Sequence, residues 1–196
     1  MKEMEIIVRP LSSKLIKDFL NFFDNIAFTD NPDWSGCYCQ FYHFPGSIKE
    51  WEDATKEQNR NASEKLILED KMKGFLAYVN NQPVGWCNVN KKEAYSNIPY
   101  EDELGENAKN KIASIVCFLI SPSYRKKGIA RTLLQKTIVN LRENGFKWLE
   151  SYPRKGELSD AHSYHGPVSL YSSEGFFVVK ETENSIVMRK NLTANV

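Results

Sequence analysis

Four basic residues cluster where a helix is expected to begin. Arg125, Lys126, Lys127 and Arg131 come soon after an apolar segment at 111–121. The first turn of a helix normally favours an oxygen-bearing cap and acidic residues, because the helix dipole is positive there. Free backbone N–H groups at that point also form an anion site. We therefore predict that a bound anion compensates this charge.

Small residues within the basic cluster support a close approach of the backbone to such an anion. Gly128 has no side chain and Ala130 has a methyl group only. Two familiar phosphate motifs, G-x-x-x-x-G-K-[ST] and G-x-G-x-x-G after a strand, are absent from the sequence. From these residues alone, a solvated basic helix end is the alternative.

A second unusual segment, at 34–44, combines cysteines with aromatic residues. Cys37, Cys39 and His43 form a C-x-C-x₃-H pattern with three candidate zinc ligands, but no fourth ligand lies nearby in the sequence. The alternatives are that the cysteines are small packed side chains, or that the segment forms aromatic walls for an apolar or cationic substrate. Its aromatic residues are Trp34, Tyr38, Phe41, Tyr42 and Phe44.

Composition limits the class of protein. The chain has 196 residues, 41% of them hydrophobic and 26% charged, with a net charge of +1. This mix predicts one globular domain with no general attraction to nucleic acid or membranes. No apolar run approaches a membrane span, and the N-terminus shows no signal-peptide core, so we expect a cytoplasmic protein with reduced cysteines.

Hydrophobic periodicity predicts a single α/β or α+β domain built on a mixed sheet. Asn-Asn-Gln-Pro between two apolar runs indicates a hairpin, and Ser47 followed by Glu50 indicates a capping box. The predicted strands are 4–10, the hairpin 74–90, 111–121, 146–152 and the pair 176–181 and 185–191. The predicted helices begin at Ser12 or Ser13, cover about 47–60, 62–72 and 128–144, and include a short one near 170; 93–110 is predicted as a loop.

Two motifs give the chain a family resemblance. Arg125-Lys126-Lys127-Gly128-Ile129-Ala130 resembles the acetyl-CoA signature R/Q-x-x-G-x-G/A of the GNAT superfamily of N-acetyltransferases. The segment 170–176, LYSSEGF, is similar to the later L-Y-x-x-x-G-F segment of that superfamily. Both occur in the expected order and elements, although the specific motifs cover only 111–136 and 166–178.

The resemblance implies a GNAT-like central mixed, mostly antiparallel sheet flanked by helices, in one domain at 1–196. The acetyl-CoA-binding core would cover about 111–180, and a variable acceptor-side region about 26–73. Acetyl-CoA is the implied co-substrate, with its pyrophosphate as the predicted anion and its pantetheine arm along the strand. The implied binding residues are Phe118, Leu119, Ile120, Arg125, Lys126, Lys127, Gly128, Ile129, Ala130, Arg131 and Thr132.

The resemblance also suggests catalytic groups. Tyr171 occupies the position of the phenol that acts as general acid near the sulfur, and a core tyrosine with a satisfied hydroxyl is the alternative. Ser114 stands where some members carry a glutamate base, and it cannot take that role. The remaining candidates for the base are Glu93, Glu101, Glu103, Glu150 or a chain of water molecules.

The function that the resemblance implies is transfer of an acetyl group to a primary amine by direct attack in a ternary complex. The acceptor is expected to be a small molecule, without nucleic acid, membrane or metal, and a homodimer is compatible with the superfamily. A non-catalytic acyl-CoA-binding or sensing module is the first alternative. A metal or thiol redox module built on Cys37 and Cys39 is the second.

Overall fold

The computed structural model describes residues 4–98, 111–156, 158–160 and 162–193. Its strands form one sheet of seven, in the order β1-β2-β3-β4-β5-β7-β6. The strands are β1 (Ile7–Pro10), β2 (Gly74–Val79), β3 (Gln82–Lys91), β4 (Ile112–Ile120), β5 (Trp148–Ser151), β6 (Phe177–Glu181) and β7 (Ile186–Asn191).

The two central strands, β4 and β5, are paired over only part of the length of β4. β4 and β5 are parallel, whereas every other neighbouring pair among the described strands is antiparallel. β4 pairs with β5 over Ile112–Ile115, and in the described chain the ladder extends no further. A gap therefore opens beside the last residues of β4, while their other edge stays paired with β3.

Helices cover both faces of the sheet, because successive strand residues point to opposite sides. Cys87 and Phe118 belong to the apolar cluster under the helix Ile129–Glu143, whereas their neighbours Trp86 and Cys117 belong to the cluster under the helices Ile16–Asn21 and Lys56–Leu68. The helices are α1 (Ile16–Asn21, continued by a π-helical turn at Phe22–Ile26), α2 (Ile48–Glu52), α3 (Lys56–Leu68), α4 (Ile129–Glu143) and α5 (Val168–Ser173).

This architecture confirms the predicted fold class, a central mixed, mostly antiparallel sheet flanked by helices. The hairpin at 74–90 and the capping box of Ser47 and Glu50 are also confirmed. No helix in the described ranges is both long and apolar enough to cross a bilayer.

The helix bounds predicted at 47–60 and 62–72 are wrong. α2 ends at Glu52 and α3 begins at Lys56, because Thr55 and Gln58 form a second capping box. The Gln58 amide donates to Thr55 Oγ1 at 3.2 Å, and the Thr55 amide donates to Gln58 Oε1 at 2.8 Å. Most of the predicted loop at 93–110, including Glu101 and Glu103, lies outside the described residues.

Candidate active site

The turn between β4 and α4 has the geometry of an anion site. Gly128 caps α4 in the left-handed conformation, with φ +84°, and no side chain caps the helix. The first hydrogen bond of the helix runs from the Thr132 amide to the Gly128 carbonyl at 3.0 Å. The amides of Ile129, Ala130 and Arg131 therefore precede the helical hydrogen-bond pattern and can bind a ligand. A Cβ at Gly128 would meet no atom within 4 Å, so the space beside the turn is open.

Arg125, the first basic residue of the turn, makes structural contacts within the protein. The Arg125 guanidinium forms a two-pronged ion pair with Asp30, in which Nη2 donates to Oδ1 at 3.2 Å. Its Nε donates to the Ile120 carbonyl at 3.2 Å. Hydrogen bonding to Arg125 lowers the pKa of Asp30. Arg125 therefore links the turn to the segment that follows α1.

The other basic side chains of the turn also have partners within the protein. Lys126 Nζ lies 3.2 Å from Asp160 Oδ2, and Arg131 Nη1 lies 2.8 Å from Glu174 Oε1. The ammonium of Lys127 lies 5.4 Å from the ring centroid of Tyr124. The four predicted basic residues thus lie around one turn, and each side chain contacts a neighbouring group of the protein.

A narrow channel of about 90 Å³ runs from this turn along the open edge of β4. Its other wall includes Ser163, Tyr164, Gly166 and Pro167, and the Tyr164 carbonyl accepts a hydrogen bond from the Phe118 amide at 2.5 Å. Five residues predicted from the sequence line this channel, namely Phe118, Leu119, Ile120, Arg125 and Ala130.

A larger aromatic cavity of about 460 Å³ lies on the other side of Leu119 and Tyr164, which belong to the walls of both spaces. Three aromatic residues of the 34–44 segment line it: Trp34, Phe41 and Tyr42. The other two do not. Tyr38 is buried in the core with its ring stacked on Phe23, and the ring of Phe44 packs against Trp51.

The Tyr171 hydroxyl lies behind the wall of the narrow channel. The side chain is fully buried, and its hydroxyl donates to the His165 carbonyl at 2.6 Å. Burial raises the pKa of this phenol well above its usual value. Gly166, which lines the channel, lies directly over it, since a Cβ there would be 3.1 Å from the hydroxyl oxygen. Tyr171 is therefore protonated at neutral pH and one residue away from the channel.

His165, in ring contact with Tyr164, is a buried polar residue whose burial the sequence did not indicate. Its side chain is 7% exposed, and Nε2 lies 3.1 Å from the Tyr42 hydroxyl. Nδ1 has no hydrogen-bond partner among the described residues. Burial, with a smaller effect of Arg154, lowers the pKa of His165 to about 4, so the imidazole is neutral at pH 7. The sequence did not indicate this burial, because His165 lies in a segment predicted as a loop.

Comparison with known proteins decides the family. The family model described as the acetyltransferase (GNAT) family matches residues 33–166 of the chain. The chain belongs to the GNAT acetyltransferase family. A comparison with curated protein sequences finds no significant match.

Solved structures agree with this assignment at the level of the fold. A probable acetyltransferase from Staphylococcus epidermidis is 13% identical with a TM-score of 0.58, over 96% of this chain and 100% of that chain. The paia N-acetyltransferase from Thermoplasma acidophilum, in complex with coenzyme A, is 17% identical with a TM-score of 0.55, over 96% and 99% of the two chains. The predicted GNAT-like fold and acetyl-CoA as co-substrate are thereby confirmed.

At the position where the family resemblance suggests a glutamate base, this GNAT protein has a serine. Ser114 occupies that position, is fully buried, and shares a 2.9 Å hydrogen bond with the Tyr152 hydroxyl. Ser114 is in register with Glu150 on β5, and Tyr152 also donates to Glu150 Oε2 at 2.9 Å. A carboxylate thus lies on the neighbouring strand, directly across from the serine.

Glu150, one of the candidates for the base, is fully buried among cations. Arg189 Nε donates to its Oε1 at 2.9 Å, and Lys92 Nζ lies 2.8 Å from its Oε2. Both carboxylate oxygens are therefore engaged by other side chains of the protein. Glu93, in contrast, is exposed on a 3₁₀ turn.

The cysteine segment of this GNAT protein packs as an apolar element. All four cysteines are free thiols. Trp86 Nε1 donates to Cys39 Sγ at 3.2 Å in the core. Among the described residues, no group of three or more His, Cys, Asp or Glu side chains is arranged to hold a metal ion. The zinc alternative therefore finds no support in this part of the chain.

Proposed function

We propose that the protein is an N-acetyltransferase that transfers an acetyl group from acetyl-CoA to a primary amine by direct attack. The observation that carries this proposal is the junction of two spaces at Leu119 and Tyr164. One space begins at an anion-binding turn, and the other is a separate cavity large enough for an acceptor. Two reactants that enter from opposite sides would meet at this junction.

The turn fits the pyrophosphate of coenzyme A. The amides of 129–131 and the positive end of the α4 dipole are directed to the open space beside Gly128. The narrow channel fits the direction of the pantetheine arm, but 90 Å³ is well below the roughly 300 Å³ of small ligand pockets. We therefore expect the wall at Ser163–Pro167 to move outward when the co-substrate enters.

The main requirement of the reaction is that the protein positions the thioester and the amine. The thioester supplies an activated acyl group, and alignment of the two reactants can lower the barrier by about 7–11 kcal/mol. We assign to Tyr171 the role of hydrogen-bond donor to the departing sulfur, after its hydroxyl turns from the His165 carbonyl. Because the pKa of Tyr171 is raised above that of a thiol, near 8.5, full proton transfer to the thiolate is unfavourable. We expect a water chain rather than Glu150 to accept the proton of the amine.

Titration calorimetry with acetyl-CoA tests the proposal at the turn. Gly128→Glu places a bulky anion where the pyrophosphate is expected, so it should abolish the binding that the parent shows. Gly145→Glu is the matched control, because Gly145 is also left-handed, at φ +79°, and also open, but lies at the other end of α4. Equal losses in both variants, or no binding by the folded parent, would refute the placement.

A non-catalytic acyl-CoA-binding module is the second candidate. It is favoured by Ser114 in the position of the base and by the engagement of Glu150 with two cations. Release of coenzyme A in the presence of amines separates the two functions. Tight binding of acetyl-CoA without amine-dependent release would favour the binding module.

A further inference from the structure

The aromatic cavity has rigid apolar walls. Its rings hold one another in place by edge-to-face contacts, with centroid distances of 5.4 Å between Phe41 and Trp51 and 5.6 Å between Trp34 and Tyr164. Tyr164 also lines the narrow channel, Trp34 contacts Tyr164 from the cavity side, and Trp51 lies on α2. An apolar body bound there would therefore meet ring surfaces along the cavity.

Several of the polar groups in the cavity wall are already engaged within the protein. Asn59 Nδ2 donates to the Gly36 carbonyl at 3.0 Å, and the Cys39 sulfur accepts from the Trp86 indole. Lys56 Nζ donates to Ser35 Oγ at 3.3 Å. A hydroxyl-rich ligand would lose hydrogen bonds to water and find few replacements here.

Two carboxylates give the cavity its negative charge. Asp33 and Glu52 both line it and are both exposed to solvent. Neither has a salt-bridge partner in the ranges that the structure describes. Asp33 belongs to the 3₁₀ turn Pro32–Trp34, and the ring of Trp34 contacts Tyr164. The two carboxylates outnumber the ammonium of Lys56, the one cation in the described lining, so an ammonium group on the ligand is favoured here over a carboxylate.

We propose, on the basis of the acetyltransferase function proposed above, that the acceptor is a primary amine on an aromatic or similarly apolar body without a carboxylate. Its ammonium group enters beside Asp33 and loses one proton to solvent through the water chain. The free amine then bonds to the acetyl carbon as the thioester C–S bond breaks. The nitrogen gives up a second proton, which the water chain carries to the departing sulfur, so that coenzyme A leaves as the thiol. The body lies between the rings of Trp34 and Trp51. Hydroxyl-rich amines and free amino acids are poor acceptors for the reasons given above.

Three amines test this proposal through the rate of coenzyme A release. 2-Phenylethylamine has the expected features, phenylalanine adds only a carboxylate to it, and glucosamine replaces the ring by hydroxyl groups. We expect kcat/KM for 2-phenylethylamine to exceed the other two by at least about 10-fold. Asp33→Asn should reduce the preference over phenylalanine, and Trp51→Ala should reduce the preference over glucosamine. Asp53→Asn, on the exposed residue next to Glu52, is the control and should change neither.

Binding of 2-phenylethylamine, followed by tryptophan fluorescence, separates the failure of this proposal from that of the function. Faster acetylation of phenylalanine or glucosamine would overturn the proposed acceptor class and leave the function intact. Amine binding that Trp51→Ala weakens, without any acetyl transfer, would overturn the function and support the acceptor class. Absence of both binding and transfer would overturn both.

Discussion

Acidification should destabilise the protein through the buried imidazole of His165. The folded protein holds this group neutral, with a pKa of about 4, whereas the unfolded chain binds a proton below the usual value of 6.5. The unfolded state therefore binds more protons as pH falls below 6.5, and the free energy of unfolding decreases until pH 4. Above pH 6.5 the full contribution of the neutral His165 to the free energy of unfolding is present. The loss amounts to about 2 kcal/mol between pH 7 and pH 5, and to about 3 kcal/mol at pH 4.

Urea unfolding at pH 7 and pH 5 measures this loss as the difference between the parent and a His165 variant, because desolvation also lowers the pKa of His43 to about 4 in both proteins. His165→Gln keeps a hydrogen-bonding group near Tyr42 but does not titrate, so the variant should lose about 2 kcal/mol less than the parent over the same interval. His162→Gln is the control, because that histidine is exposed and its removal should leave the parental pH dependence. The same pH dependence in His165→Gln and in the parent would refute the buried neutral imidazole.

Three further predictions concern other parts of the site. Glu150→Gln takes the carboxylate away from the buried Arg189 and should lower the free energy of unfolding by about 3–5 kcal/mol in urea titrations. Asp160→Asn releases Lys126 from an exposed ion pair, so Kd for acetyl-CoA should fall by about 2- to 5-fold at low salt, and the difference should vanish at high salt. Tyr171→Phe removes the hydrogen-bond donor to the departing sulfur and should lower kcat by about 100-fold in the coenzyme A release assay, with little change in KM for acetyl-CoA. An unchanged free energy of unfolding in Glu150→Gln, an unchanged low-salt Kd in Asp160→Asn or an unchanged kcat in Tyr171→Phe would contradict the corresponding contact or role.

Local residue patterns explain why much of the fold could be predicted. Asn80 and Asn81 have φ values of +49° and +63°, which asparagine tolerates better than most residues, so the Asn-Asn pair specified the hairpin turn. Gly128 and Gly145, both left-handed, mark the two ends of α4. In each case the deciding interaction lies within a few residues of the chain, where the sequence displays it directly.

Contacts between distant residues explain why the site could be predicted only in part. Asp30 and Arg125 are 95 residues apart, and Glu150 and Arg189 are 39 residues apart. No local pattern indicates that a given carboxylate will meet a given cation. The break between α2 and α3 is a different case, since Thr55 and Gln58 form a capping box that the sequence shows and helical periodicity obscured.

The basic run marks the proposed anion site in the sequence, but we expect backbone groups to contribute most to binding. Arg125, Lys126 and Arg131 each have a protein carboxylate at ion-pair distance, so much of their charge is compensated before any ligand binds. The groups left to attract an anion are the Lys127 ammonium, the amides of the first helical turn and the α4 dipole, which no protein side chain caps. Access to those amides depends on the bare backbone of Gly128, beside which the space is open. The glycine is therefore the residue on which binding should depend most, and the cations around it position the turn that presents the amides.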